Sequence, residues 1–211
     1  MSFVVALLGA ESTGKTTLAR ELTQALADGN RSVACVAEYL REFCDGHGRT
    51  PREDEQAGIA AEQTRRITEA AATHDVVVAD TTALMIAVYS EHVFGDSRLY
   101  AQAERAQRDI DLTLVTALDL PWQADGLQRD GPQVRVPVDE RVRASLQRAG
   151  VAYSVVSGTG SSRLAAALSA ARHAMQAASA EDELRAAAPR WQWHCERCGD
   201  ADCERHLLPR R

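Results

Sequence analysis

Two glycines, a lysine and a hydroxyl in the stretch GAESTGKTT are spaced as a polyanion site requires: Gly9, Gly14, Lys15 and Thr16 satisfy G-x-x-x-x-G-K-[ST]. Glycine lets the main chain curl tightly enough for successive N–H groups to point inward at an anion. A helix starting at the second glycine adds unpaired N–H groups and the positive end of its dipole. Lysine then reaches the β- and γ-phosphates as a point charge, and the threonine hydroxyl takes a Mg²⁺ position. The expected ligand is a nucleoside triphosphate, ATP in the first instance. Gly9, Glu11, Ser12, Thr13, Gly14, Lys15, Thr16 and Thr17 are the expected contacts.

Such a site also needs an acid at a neighbouring strand end to orient the metal. Asp80, closing DVVVAD, is the best candidate and joins Thr16 as an expected Mg²⁺ residue. Glu38 and Arg41, in AEYLRE, are expected to end another strand on the same edge. A carboxylate there could accept a proton from an acceptor hydroxyl as phosphoryl transfer begins. Asp80 could equally do so, and the residues alone do not choose between them. Arg129, Arg135 and Arg141 flank the irregular stretch PWQADGLQRDGPQVRVP. A loop-borne arginine can neutralise charge spreading over the γ-phosphate and shut out water. Trp122 in the same stretch could stack on a flat ring, or simply pack in the core.

The C-terminal stretch HCERCGDADCERH offers a second chemistry. Cys195, Cys198, Cys203 and His206 read C-x2-C-x4-C-x2-H, a donor set suited to tetrahedral Zn²⁺, with His194 as a competing ligand. The alternative is a set of reduced thiols in a tail, with Trp191 and Trp193 packing that tail onto the body.

These residues need elements to hold them. Short apolar runs SFVVALLGA, SVACVA, DVVVAD, DLTLVTALD and AYSVVSG read as five buried strands. Between them lie helical stretches: KTTLARELTQALA, roughly 51–73, TTALMIAVYSEHVFG, LYAQAERAQRD, VPVDERVRASLQRAG and SSRLAAALSAARHAMQAASA. The alternation predicts an α/β P-loop NTPase sandwich: a five-stranded parallel sheet with helices on both faces and right-handed crossovers. The composition shifts at Glu181, so residues 1–178 are expected to form the main domain and 179–211 a small Cys-rich appendage. The net charge of −6 argues against broad attraction to nucleic acid or anionic lipid. No apolar run approaches the roughly 20 residues that span a bilayer. FVVALL has no basic stretch before it and no cleavage site after it, so the expected location is the cytoplasm. A homo-oligomer is compatible with this chain.

Taken together, GAESTGKTTLA, EYLRE, DTTAL, YSEHVFG, PWQADGLQRDG and VVSGTGSSRL resemble the ribosylnicotinamide kinase-like P-loop domain at the C-terminal end of bifunctional NAD-biosynthesis regulators. The resemblance covers roughly residues 2–175. Its most telling elements after the phosphate loop are Pro121–Trp122 with Asp125, Gly126, Leu127 and Arg129, then Glu38, Tyr39, Arg41 and Glu42. It implies transfer of the ATP γ-phosphate to the 5′-hydroxyl of a nucleoside-like acceptor, nicotinamide riboside above others. It would put Glu38, Asp80 and Lys15 at the reacting groups, with Glu38, Tyr39 and Arg41 toward the acceptor. Trp122 and Asp125 would lie by the acceptor base, Arg129 in a closing lid, and Gly158 and Arg163 by the adenine. Two other readings compete: a regulatory NTPase switch acting on a partner, and a nucleic-acid-associated protein using the tail.

Overall fold

The computed structural model describes residues 2–27, 31–124 and 131–187. Among them, five strands form one all-parallel sheet in the order β2-β3-β1-β4-β5. The strands are β1 (Phe3–Leu8), β2 (Val33–Val36), β3 (Val76–Asp80), β4 (Leu112–Thr116) and β5 (Tyr153–Val156). The helices are α1 (Lys15–Leu26), α2 (Tyr39–His47), α3 (Gln56–Thr73), α4 (Ala83–Phe94), α5 (Tyr100–Arg108), α6 (Arg135–Ala149) and α7 (Gly160–Ala187). The expected fold class is therefore the observed one.

Side chains alternate across the central strand, as strand geometry requires. Val5 and Leu7 meet Leu18, Leu22 and Leu26 of α1 and Ala167 and Ala171 of α7 on one face. Leu8 on the other face joins Ala83–Val88 of α4, Ala103 of α5 and Val138, Val142 and Leu146 of α6. Each fully buried leucine here stabilises the fold by about 1.5–3 kcal/mol. The register sets the chemistry: Leu7 lies opposite Asp80, and Leu8 opposite Val115. The chain leaving β1 thus emerges between the ends of β3 and β4. That carboxyl edge is where ligands bind in open α/β sheets.

Three expectations are corrected. EYLRE does not close a strand; β2 stops at Val36, and Glu38 is the N-cap of α2. Tyr39, Leu40 and Phe43 pack against the core, an i, i+1, i+4 stripe hidden among charges. The helical stretch from Pro51 starts later: a 3-10 turn, Glu53–Glu55, precedes the α-helix at Gln56. Glu55 there accepts hydrogen bonds from the Arg52 amide at 2.8 Å and both terminal nitrogens of Arg49 at 2.7 Å. The Arg49 contact first, then that amide, hold its carboxyl down at about 2. Finally, α7 runs on past Glu181 to Ala187, because EDELRAA is made largely of good helix formers.

Contacts divide the chain into a compact unit 1–175 and a second unit 176–211, of which the described part is the end of α7. Cys195, Cys198, Cys203, His206, His194, Trp191 and Trp193 lie outside the described residues, as do Asp125, Gly126, Leu127 and Arg129. Among the described residues no group of three or more His, Cys, Asp or Glu side chains is placed to hold a metal ion, and no helix is long and apolar enough to cross a membrane. Cys35 and Cys44 are free thiols.

Candidate functional site

The loop between β1 and α1 is forced into shape at both ends. Gly9 has φ 144°, and a Cβ placed there would stand 2.1 Å from Thr116 Oγ1 and 3.2 Å from the Thr116 carbonyl. Gly14, the N-cap of α1, has φ 74°, and Ser12 holds a left-handed φ of 55° with a side chain in place. Backbone strain of this kind costs of order 1–3 kcal/mol and persists only where neighbours enforce it. Those neighbours are visible. The Thr13 hydroxyl, fully buried, donates to the Ala10 carbonyl at 2.8 Å and accepts from Thr116 Oγ1 at 2.7 Å. Lys15 Nζ donates to the same Ala10 carbonyl at 2.8 Å, which keeps the ammonium on the loop. Thr16 is half-buried and Thr17 exposed on the first turn of α1.

Arg163, at the start of α7, supports the loop from beneath. It is buried, and Nη2 donates to the Thr13 carbonyl at 2.6 Å. Nη1 donates to the Gly158 carbonyl at 3.0 Å and to Asp119 Oδ1 at 3.1 Å. Burial raises the Asp119 carboxyl, but the Gly158 amide, 2.5 Å away, and the Arg163 guanidinium outweigh it and hold the group below its ordinary range. Gly158 and Arg163 are thus joined to the phosphate loop; both terminal nitrogens of the guanidinium are spent on protein carbonyls and a carboxylate, and the buried Nε is left without a partner.

Trp122 is drawn to the same loop. Its indole N–H donates to Glu11 Oε1 at 2.8 Å, and the Gly131 amide donates to that oxygen at 3.1 Å. The Gln123 amide donates to Ser12 Oγ at 2.7 Å. The long connection between β4 and α6 is therefore anchored at both described ends to phosphate-loop side chains.

Across the edge, Asp80 is 2 % exposed, and its Oδ1 has no hydrogen-bond partner. Thr81 beside it has φ 72°, a second strained residue at the sheet's carboxyl edge. Glu38 and Arg41, half-buried, stand 4.0 Å apart at the start of α2. The brace between these two strand ends is Gln63 of α3, fully buried. Its Oε1 accepts from the Tyr39 amide at 2.8 Å, and its Nε2 donates to the Ala37 and Thr81 carbonyls at 3.3 and 3.4 Å. Sequence reasoning missed Gln63. Its signal was an amide set, like Gln56, on the helix face of Ile59, Ala60 and Ile67, where a buried polar group must find partners. Thr116 and Asp119 were missed too, since nothing in DLTLVTALD singles them out. Of the loop-flanking arginines, Arg141 is engaged by Glu91 at 3.3 Å and by the Pro137 carbonyl, whereas Arg135 is buried.

A family model described as an AAA domain matches residues 4–163, which include the phosphate loop, Asp80 and the connection to Arg163. The chain belongs to the AAA domain family. No curated protein matches it. Among solved structures, a NadR protein in complex with NAD and AMP-PNP is 22% identical, with a TM-score of 0.67 over 83% of this chain and 50% of that one. A NadR protein in complex with NR has a TM-score of 0.68 at 22% identity, over 82% and 50%. Thymidylate kinase from Ehrlichia chaffeensis has a TM-score of 0.54 at 14% identity, over 84% and 98%. The chain thus spans half the length of the NadR structures it matches. This AAA domain has a ribosylnicotinamide kinase-like P-loop fold, as the resemblance implied.

Proposed function

We propose that this chain is a P-loop phosphotransferase that moves the γ-phosphate of ATP to a hydroxyl of a nucleoside-type acceptor. The observation that carries the reading is the pairing of a braced phosphate loop with two acids, Asp80 at the end of β3 and Glu38 at the N-cap of α2. Asp80 Oδ1 is buried and unpaired, and Gln63 bridges the backbone next to it, at Thr81, to the backbone on either side of Glu38, at Ala37 and Tyr39. A pure nucleotide switch has no need of the second acid. In this reading the loop amides and Lys15 hold the β- and γ-phosphates and offset the charge that spreads over the moving phosphoryl group. Glu38 or Asp80 accepts the acceptor's hydroxyl proton.

Mg²⁺ fits the donors at hand. A buried carboxylate oxygen without a partner is costly unless a ligand satisfies it, and Thr16 supplies the hydroxyl at the start of α1. The ion, when bound, would neutralise the phosphate oxygens. The similar NadR structures hold AMP-PNP and NR, which supports a nucleotide donor and a nucleoside acceptor, and nicotinamide riboside is the acceptor to test first. Arg129 remains in this proposal as the candidate cation for the transferring phosphate, and Trp122 and Asp125 as the candidates for the acceptor base.

The test is ADP release from MgATP with a panel of nucleosides, nicotinamide riboside among them, and Lys15→Ala as the blank. The expected result is an acceptor-dependent rate that the Lys15 variant lacks. A rate equal with and without every acceptor would replace this reading by an ATP-driven switch acting on a partner. Zinc in the Cys195–His206 tail is a separate proposal. Metal analysis of protein purified without chelator should then give about one equivalent.

A further inference from the structure

Arg135 is a buried cation with unmet donors. It is 8% exposed, and its Nε and Nη2 have no hydrogen-bond partner. An arginine cannot shed its charge to escape burial, and an uncompensated buried charge costs several kcal/mol. Among the described residues, one carboxylate of α6 and one of the packed helix α4 are already engaged. Asp139, one turn along the same helix face, binds Arg143 at 2.6 Å. Glu91 on the packed helix α4 accepts from the Tyr100 hydroxyl at 2.6 Å and faces Arg141 at 3.3 Å.

Its place in the fold says what the missing partner is. Arg135, Val138 and Val142 share one face of α6 at i, i+3 and i+7. Val138 and Val142 belong to the cluster that holds Leu8 and Ala10, the end of β1 and the start of the phosphate loop. Arg135 is the first residue of α6, so it extends that face beyond the valines at the loop end of the helix. Four residues before it, the Gly131 amide is fixed to Glu11 of the loop itself.

We propose that Arg135 binds a phosphoryl oxygen of a ligand seated at the phosphate loop, and that Glu11, through Gly131, is the positioning residue that brings it there. This rests on the phosphotransferase reading. It adds that the cation facing the phosphate comes from the body of α6, and that Glu11 acts on the connection as well as on the loop. The oxygen belongs either to the γ-phosphate of the donor or to a phosphate carried by the acceptor. The second case would make the acceptor a nucleotide.

The experiment uses the full chain with Arg135→Met, Arg135→Lys and Glu11→Gln. Each is titrated by calorimetry with MgATP, MgADP and a set of nucleoside 5′-monophosphates, and melted without ligand. If the γ-phosphate is the partner, Arg135→Met weakens MgATP about 10- to 100-fold, as expected for lost hydrogen bonds to a charged group, and MgADP less than twofold. If the acceptor's phosphate is the partner, the loss falls on a monophosphate and both adenine nucleotides bind as before. Arg135→Lys recovers part of the loss, and Glu11→Gln shows a smaller loss of the same pattern. Without ligand, Arg135→Met melts no lower than wild type, because it removes an unpaired charge. Wild-type affinities for all probes in a folded Arg135→Met protein would overturn the proposal and leave the phosphotransferase reading standing. A wild-type protein that binds none of the probes would overturn both.

Discussion

The two sides of the phosphate loop are finished to different degrees. On the β4 and α7 side, protein satisfies protein at nearly every buried polar atom, the Arg163 Nε being the exception. Thr116 holds Thr13, Arg163 holds the Thr13 carbonyl, and Asp119 pairs with Arg163. On the β3 and α6 side, buried polar atoms are left over: Oδ1 of Asp80 and two nitrogens of Arg135. The pattern teaches a division of labour. A satisfied network rigidifies the cradle before any ligand arrives, whereas unmet buried groups cost stability that only a bound partner returns. The acid and the base of that facing side have the signs needed for a metal ion and a phosphate.

The largest effect should come from breaking the satisfied side at its narrowest point. Gly9→Ala puts a methyl group 2.1 Å from Thr116 Oγ1 and asks alanine to hold φ 144°. Overpacking and backbone strain together should cost about 4 kcal/mol by urea unfolding. Adding Thr116→Ala removes the closer clash and should return part of this. The φ and the Thr116 carbonyl remain, so a full return would show that the loop is not locked by β4 as described.

A smaller effect should follow from loosening the facing side. Gln63→Leu keeps the volume but leaves the Tyr39 amide and the Thr81 carbonyl without their partner. The expected loss is about 2 kcal/mol. Acceptor-dependent turnover should fall more than MgATP affinity, since the bonds of Gln63 go to the backbone beside Glu38 and Asp80 and not to the phosphate loop. An equal fall in both would mean that the two sides are one network.

The same contrast explains what the residue pattern revealed. The five strands, the parallel sheet and the phosphate loop were legible because apolar runs and the glycine spacing are local signals. Asp80 was legible because four apolar residues lead straight into it. Helix α2 was not, since EYLRE hides its apolar stripe among charges and Glu38 reads as a strand end rather than a cap. Gln63, Thr116 and Asp119 act through partners 18 to 103 residues away in sequence or in a neighbouring loop, and no spacing rule reaches that far. Trp122 was singled out for its ring, but its indole N–H, bound to Glu11, is what fixes its place.

The smallest effect is a pH dependence confined to the satisfied side. The folded Asp119 carboxyl lies below its ordinary range, so it binds protons less readily than the unfolded chain does. Its contribution to stability is therefore complete above the unfolded value, about 3.9. It fades as pH falls through the lower folded value. The side chain is a third exposed, and solvent screening limits the contribution to about 1 kcal/mol or less at neutral pH. Asp119→Asn keeps the shape and removes the titration. Melting curves from pH 6 to pH 3 should show the variant below wild type at the upper end and the two converging at the lower. A gap that stays constant into acid would mean that the Asp119 charge adds nothing to the hold of Arg163 on the loop, and that the carbonyls of Thr13 and Gly158 carry that hold without it.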